Sequence, residues 1–147
     1  MTALSHYRTV VAPEWIDYNG HMSEAFYVLV FGYATDTAMD VLGMDADYRA
    51  RTGCSLYTVE AHVRYLQEIG LGAELTVTTS VVGTADKKLH LAHTLHSGET
   101  LLATEEILGL HVDQERGGVT VMPADVQARI AEALTEAPDW CGRTVGI

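Results

Sequence analysis

From residue 57 the chain alternates. Tyr57, Val59, Ala61, Val63 and Tyr65 are separated by Thr58, Glu60, His62 and Arg64, which predicts a strand with one buried face. The same period of two runs through Leu75, Val77, Thr79 and Val81, and again through Leu89, Leu91, His93 and Leu95. A long last strand is expected over 100–112. Gly70 and Gly72, the stretch 83–86, and Ser97-Gly98 interrupt the pattern where turns belong. Four antiparallel strands joined by short turns follow from this punctuation.

Ahead of them the period changes. Residues 24–42 place Phe26, Leu29, Val30, Tyr33, Thr37 and Val41 at helical spacing, with Glu24, Asp36 and Asp40 as the only charges. A helix apolar nearly all round is wrapped by something. Ser23 is the expected N-cap and Gly43 the expected stop. Residues 7–12 predict a first strand closed by Pro13, with strand propensity resuming through Trp15 and Ile16. Residues 45–53 read as a polar connection, a short helix or a loop. After Gly117-Gly118 a C-terminal helix is expected from Pro123, with Val126, Ile130 and Leu134 four apart.

This order of elements predicts an α+β fold, one long helix on a curled antiparallel sheet. Residues 1–147 read as one domain, with a core at about 7–113 and a helix and tail over 120–147. One helix covers one face of a sheet, so the other face meets solvent or a second subunit. A homodimer or homotetramer is expected.

Composition narrows the partners. A formal net charge of −11 argues against nucleic acid. A polyanion would have to find a local patch: Arg49 with Arg51, Arg64, or Lys87-Lys88. No apolar run approaches the ~20 residues that cross a membrane. The start MTALSHYRTVV lacks the basic-then-apolar order of a signal peptide. Cys54 and Cys141 form no CxxC pair, and a cytoplasmic location is expected.

Candidate chemistry concentrates in DYNGHMSEAFY, residues 17–27. Asn19-Gly20 is a strong hairpin signal, yet a helix follows it. Such a turn folds the chain back tightly, so that the carboxylate of Asp17 faces a helix N-terminus. On local sequence alone, capping of the turn backbone is the first reading of Asp17. His21 could orient Asp17, contact a ligand or hold the turn. Glu60, His62 and Arg64 share one face of their strand, the usual wet side of a sheet. In HLAHTLH, period two puts His90 and His96 on one face and His93 on the other, so no metal site is expected. GxSxG, GxGxxG and P-loop patterns are missing, and no cofactor is expected.

DYNGHM, the long apolar helix and the four-strand meander together resemble the hotdog-fold thioesterases. Within these the chain is similar to the 4-hydroxybenzoyl-CoA thioesterase-like branch, whose signature is Asp, two residues, Gly, often His, then the helix. The stretches APEWIDYNGHM, SLYTVEAHVRYLQEI, DKKLHLAHTL and LLATEEILGLHVD resemble the carnitine dehydrogenase-associated thioesterases that act on betainyl-CoA.

The resemblance implies a sheet wrapped round a central helix, paired subunits and a short acyl-CoA substrate, betainyl-CoA. It implies Asp17 as nucleophile or general base and backbone N–H groups near Met22 to Glu24 as oxyanion donors. His21 joins Asp17 as a catalytic candidate. Trp15, Asn19, Gly20, Met22, Ser23, Tyr27, Glu60 and His62 are candidate substrate contacts, and Arg64, Lys87 and Lys88 candidate CoA contacts. Many relatives carry Asn where this chain has Ser23, and Asp where it has Trp15. A trimethylammonium group is bound by aromatic faces and carboxylates, and Trp15, Tyr18, Tyr27, Tyr57 and Tyr65 flank the expected site. The alternatives are a thioesterase for another alkyl- or aryl-acyl-CoA, or a non-catalytic acyl-CoA-binding protein. A dehydratase is disfavoured, because Met22 stands where that branch has His.

Overall fold

The computed structural model describes residues 2–147. Strand β1 (Ser5–Val10) leads through a 3-10 turn at Pro13–Trp15 to helix α1 (Glu24–Val41). Helix α2 (Ala46–Thr52) precedes β2 (Cys54–Tyr65), β3 (Glu74–Ala85), β4 (Lys88–Ser97) and β5 (Thr100–Asp113), and α3 (Ala124–Ala133) follows. The sheet order is β1-β3-β4-β5-β2, antiparallel throughout. Short turns join β3, β4 and β5 as expected, but β2 crosses to the far edge beside β5 instead of pairing with β3. The sheet curls around α1, the hotdog arrangement that the resemblance implied. Among the described residues no single helix is long and apolar enough to cross a membrane.

Which stripe of α1 is buried differs from the expectation. Tyr27, Val30, Phe31, Ala34, Thr35, Ala38 and Met39 face the sheet. Of the expected stripe, Leu29, Tyr33 and Val41 are exposed instead, beside exposed Val28. Both stripes are apolar, so periodicity alone could not choose between them. Only the sheet does so, by accepting one.

Strand β2 corrects a second expectation. Its pairing with β5 shifts between Thr58 and Glu60, so Val59 is the extra residue of a bulge. The bulge exchanges faces. Leu56 lies in the core before it, and Ala61, Val63 and Tyr65 share the helix side after it, while Tyr57 points outward. Because β2 is an edge strand, the buried face expected for it is largely open: Tyr57, Val59 and Tyr65 are all exposed.

The turn expected at 83–86 is shorter. Strand β3 runs on to Ala85 with a register shift at Val81/Gly83, and only Asp86-Lys87 turns the hairpin. Strand propensity at Trp15 becomes the 3-10 turn, with Pro13 at its first position. Helix α3 buries Val126 and Ile130 against Leu42, Met44, Val81 and Leu89, whereas Leu134 is exposed. Beyond it, Thr135 N–H donates to Val81 O, and the tail continues over the outer face of the sheet.

Candidate active site

The Asn19-Gly20 turn does build a hairpin, of a single bridge. Ile16 pairs with Met22, Asp17 N–H donates to His21 O at 3.1 Å, and Gly20 N–H donates to Asp17 O at 3.0 Å. Gly20 has φ 80°, a conformation a β-carbon would strain. Asp17 Oδ1 accepts from Asn19 N–H at 2.8 Å, so the turn-capping role is present.

Two short bonds then aim the helix. Met22 N–H donates to Ile69 O and Ser23 N–H to Trp15 O, both at 2.9 Å, and the Trp15 ring stacks on Phe26. Ser23 occupies the N-cap with no side-chain capping bond. The N–H groups of Met22 and Ser23 are therefore engaged, contrary to the expected donor set, and Phe26 N–H bonds Ser23 O. The free donors of the first turn are at Glu24 and Ala25, where an 18-residue helix concentrates partial positive charge.

Beside this end of the helix lies a cleft of about 410 Å³ lined by Met22, Glu24, Tyr27, Tyr65, Gln67 and Glu68 among others. The Tyr27 and Tyr65 rings stand nearly perpendicular, centroids 5.2 Å apart. Tyr27 Oη donates to Gln67 O at 3.0 Å and Tyr65 Oη to Glu24 O at 3.3 Å. Burial, then Glu68, raises the Tyr27 pKa, and burial, then Glu24, raises that of Tyr65. His21 Nδ1 lies 3.5 Å from Glu68 Oε2, so His21 engages the 66–69 segment, and no hydrogen bond joins its ring to Asp17 among the described residues. Glu68 and Gln67 escaped the sequence reading, because they sit in a connection that carries no periodicity.

Glu60 and His62 fall elsewhere. Both point to the outer face of β2, away from α1, as does Arg64, which is exposed at the Tyr65 end. With His90, Glu106 and residues 142–144, Glu60 and His62 line a second cavity of about 300 Å³, which shares no lining residue with the first. There His90 Nε2 lies 2.7 Å from Glu106 Oε2, and Gly142 N–H donates to Glu106 Oε1 at 2.6 Å. The ligand atoms of His90, Glu106 and Cys141 lie within 4.8 Å of one another. The hydrogen bonds at Glu106 anchor the tail to the outer face of the sheet.

Lys87 and Lys88 lie at the far end of the sheet. Lys88 begins the ten-residue β4, whose other end approaches the Tyr65 side, about 30 Å away at ~3.3 Å per residue. Within one chain the lysine pair cannot reach the Asp17 turn.

Inside the sheet, His93 is fully buried and stacked by Phe31. Thr35 Oγ1 donates to Phe31 O and therefore accepts from His93 Nε2–H at 2.9 Å, which leaves Nδ1 to accept from the Thr79 hydroxyl at 2.8 Å. Desolvation pushes the His93 pKa down to about 3, and burial pushes that of Glu105 up to about 8. Their closest approach is 3.9 Å. Both directions favour a neutral pair over an ion pair, and the two threonines satisfy the neutral ring completely.

The fold and this turn before a helix define a class. Residues 11–130 match the model of the Thioesterase-like superfamily, and the chain belongs to that family. Among individual relatives, it is 42% identical to the betainyl-CoA thioesterase of Pseudomonas aeruginosa, over 98% of this chain and 95% of that protein. It is 49% identical to the L-carnitine dehydrogenase/betainyl-CoA thioesterase of Agrobacterium fabrum, over 74% of this chain but only 22% of that longer protein. Among solved structures, the Staphylococcus aureus hypothetical protein SAV2348 in complex with CoA superposes with a TM-score of 0.91, at 27% identity, covering 99% of this chain and 96% of that one. The gentisyl-coenzyme A thioesterase BH1999 shares the fold, with a TM-score of 0.78 at 17% identity over 86% and 99%.

Proposed function

We propose that this chain hydrolyses a short acyl-CoA, betainyl-CoA, to the free acid and CoA. The observation that carries the reading is Asp17, held by a one-bridge hairpin ahead of a helix whose first free N–H groups are those of Glu24 and Ala25. A thioester carbonyl set against those donors develops its negative charge at the positive end of α1. Asp17 then serves as nucleophile, expelling the CoA thiolate to form a mixed anhydride that water cleaves, or as general base to a water that attacks the thioester carbon and itself expels the CoA thiolate. Gly20 leaves the backbone open to close approach. The near-full-length likeness to a betainyl-CoA thioesterase supports the acyl group.

The site is completed by a second copy. The edge of β2 and the exposed stripe Val28, Leu29, Tyr33 and Val41 of α1 form one apolar surface unsuited to water. Antiparallel pairing of two β2 edges would set the Cys54 end of one strand beside the Tyr65 end of the other. That pairing brings the lysine pair of one copy toward the Asp17 turn of the other, where CoA phosphates need cations. Arg64 adds a positive charge at the same end. A cytoplasmic location fits the two free cysteines.

The test is release of free CoA from betainyl-CoA beside acetyl-, butyryl- and benzoyl-CoA. Preference for betainyl-CoA is expected. Preference for another acyl group would discard the substrate and keep the chemistry, and no release from any of them would overturn the reading.

A further inference from the structure

A quaternary ammonium group has no N–H to donate. A protein can recognise it only through aromatic faces and negative charge, at the modest desolvation cost of a large diffuse cation. The cleft beside the α1 N-terminus supplies both. We propose that Tyr65, braced by the buried Tyr27 and flanked by the carboxylates of Glu24 and Glu68, forms the pocket that holds the trimethylammonium end of the acyl group. This rests on the betainyl-CoA reading above and names the residues that make it selective.

Four observations converge. The two rings meet at 81°, forming a corner rather than a stack. Each hydroxyl is tied to a backbone carbonyl, Tyr27 to Gln67 and Tyr65 to Glu24, so the rings are fixed: Tyr65, 45% exposed, offers its ring to a ligand, and Tyr27, 4% exposed, braces it. Those acceptor carbonyls add partial negative charge at the hydroxyl ends of the rings. Among the described residues no lysine or arginine lines the cleft, and the nearby His21 is paired with Glu68.

Placement agrees with the length of the acyl group. In betainyl-CoA one methylene separates the carbonyl carbon from the cationic nitrogen. The donor for the carbonyl, Glu24 N–H, and the wall of the cleft belong to the same residue. The positive end of α1 that favours the oxyanion would repel a cation so close to it. Glu24 and Glu68 offset that repulsion, a need that a neutral acyl group would not create.

The discriminating experiment compares kcat/KM for betainyl-CoA and its neutral carbon isostere, 3,3-dimethylbutyryl-CoA, in the full chain. Selectivity for the cation of at least ~10-fold is expected, the scale of a desolvated cation–π contact. Tyr65→Leu should cut that ratio about tenfold, Glu68→Gln should cut it severalfold, and Tyr65→Phe, which keeps the ring, should retain it. If Tyr65→Leu fails to fold, Glu68→Gln carries the test. Equal turnover of both substrates by the unaltered protein would overturn the pocket while leaving a thioesterase. Selectivity that survives both Tyr65→Leu and Glu68→Gln would overturn this location for it. Release from neither substrate would instead sink the proposed function, and the pocket with it.

Discussion

Asp17 Oδ1 accepts a hydrogen bond from Asn19 N–H at 2.8 Å, so the side chain proposed for catalysis also holds its own turn. The two roles separate by substitution. Asn at position 17 keeps an oxygen to cap the turn and loses the charge. Asp17→Asn is expected to unfold within a few degrees of the parent yet lose at least ~100-fold in kcat, whereas Asp17→Ala loses both the rate and some stability. Steady-state CoA release together with thermal unfolding checks this. A fully active Asp17→Asn protein would remove Asp17 from the chemistry.

The β2 edge and the open stripe of α1 predict self-association. Sedimentation equilibrium should give a dimer or tetramer for the unaltered chain. Val59→Lys puts a charge on the exposed bulge of the edge strand and should shift the protein toward monomer. Because the site is proposed to need two chains, activity should fall at least ~10-fold in parallel. A fully active monomer would refute the two-chain site.

The His93–Glu105 pair predicts the shape of stability against pH. The folded pKa of Glu105, about 8, lies above its ordinary 4.5, so between those values the unfolded chain releases a proton that the folded chain keeps, and stability falls as pH rises. For His93 the folded value of about 3 lies below the ordinary 6.5, and stability falls as pH drops through that range. The two slopes oppose between 4.5 and 6.5, giving a plateau there. Glu105→Gln should remove the alkaline decline and raise Tm at pH 8.5 by at least about 4 °C, with little change at pH 5. Calorimetry at the two pH values decides it.

Loss of a threonine beside His93 has a different signature. Thr35→Val leaves the buried Nε2–H without an acceptor, a cost of about 1–3 kcal/mol. Urea unfolding should show that loss in the midpoint with an unchanged slope.

The tail predicts the reactivity of Cys141. Burial, then the Glu106 carboxylate, pushes its thiol up to about 11, so almost no thiolate exists at neutral pH. In a Cys54→Ala background, labelling by a disulfide reagent at pH 7.5 should be slow. Glu106→Ala removes both that charge and the acceptor of Gly142 N–H, and should speed labelling at least ~10-fold. An unchanged rate would mean that Glu106 does not hold the tail.

Local signals carried much of this protein. Period two in 74–97, the turn residues between those strands, the apolar run 24–41 and the DYNGH turn each encode their own conformation, so the strands, the helix and the turn were legible from residues alone. The placing of β2 against β5 was not, and Asp17 became a catalytic candidate only through the family resemblance. What tertiary structure decided lies wherever two local answers were equally good. Both stripes of α1 are apolar, and the sheet chose Tyr27 over Leu29. A single extra residue at Val59 reversed the faces of β2 without leaving any mark in the alternation. The donors near Met22 and Ser23 were lost to Ile69 and Trp15, acceptors distant or unsuspected in the sequence. His62 and Glu106 met under a tail that has no periodicity at all. A side chain's own neighbours set its backbone, but which face it shows and what it meets depend on chain that lies far away in sequence.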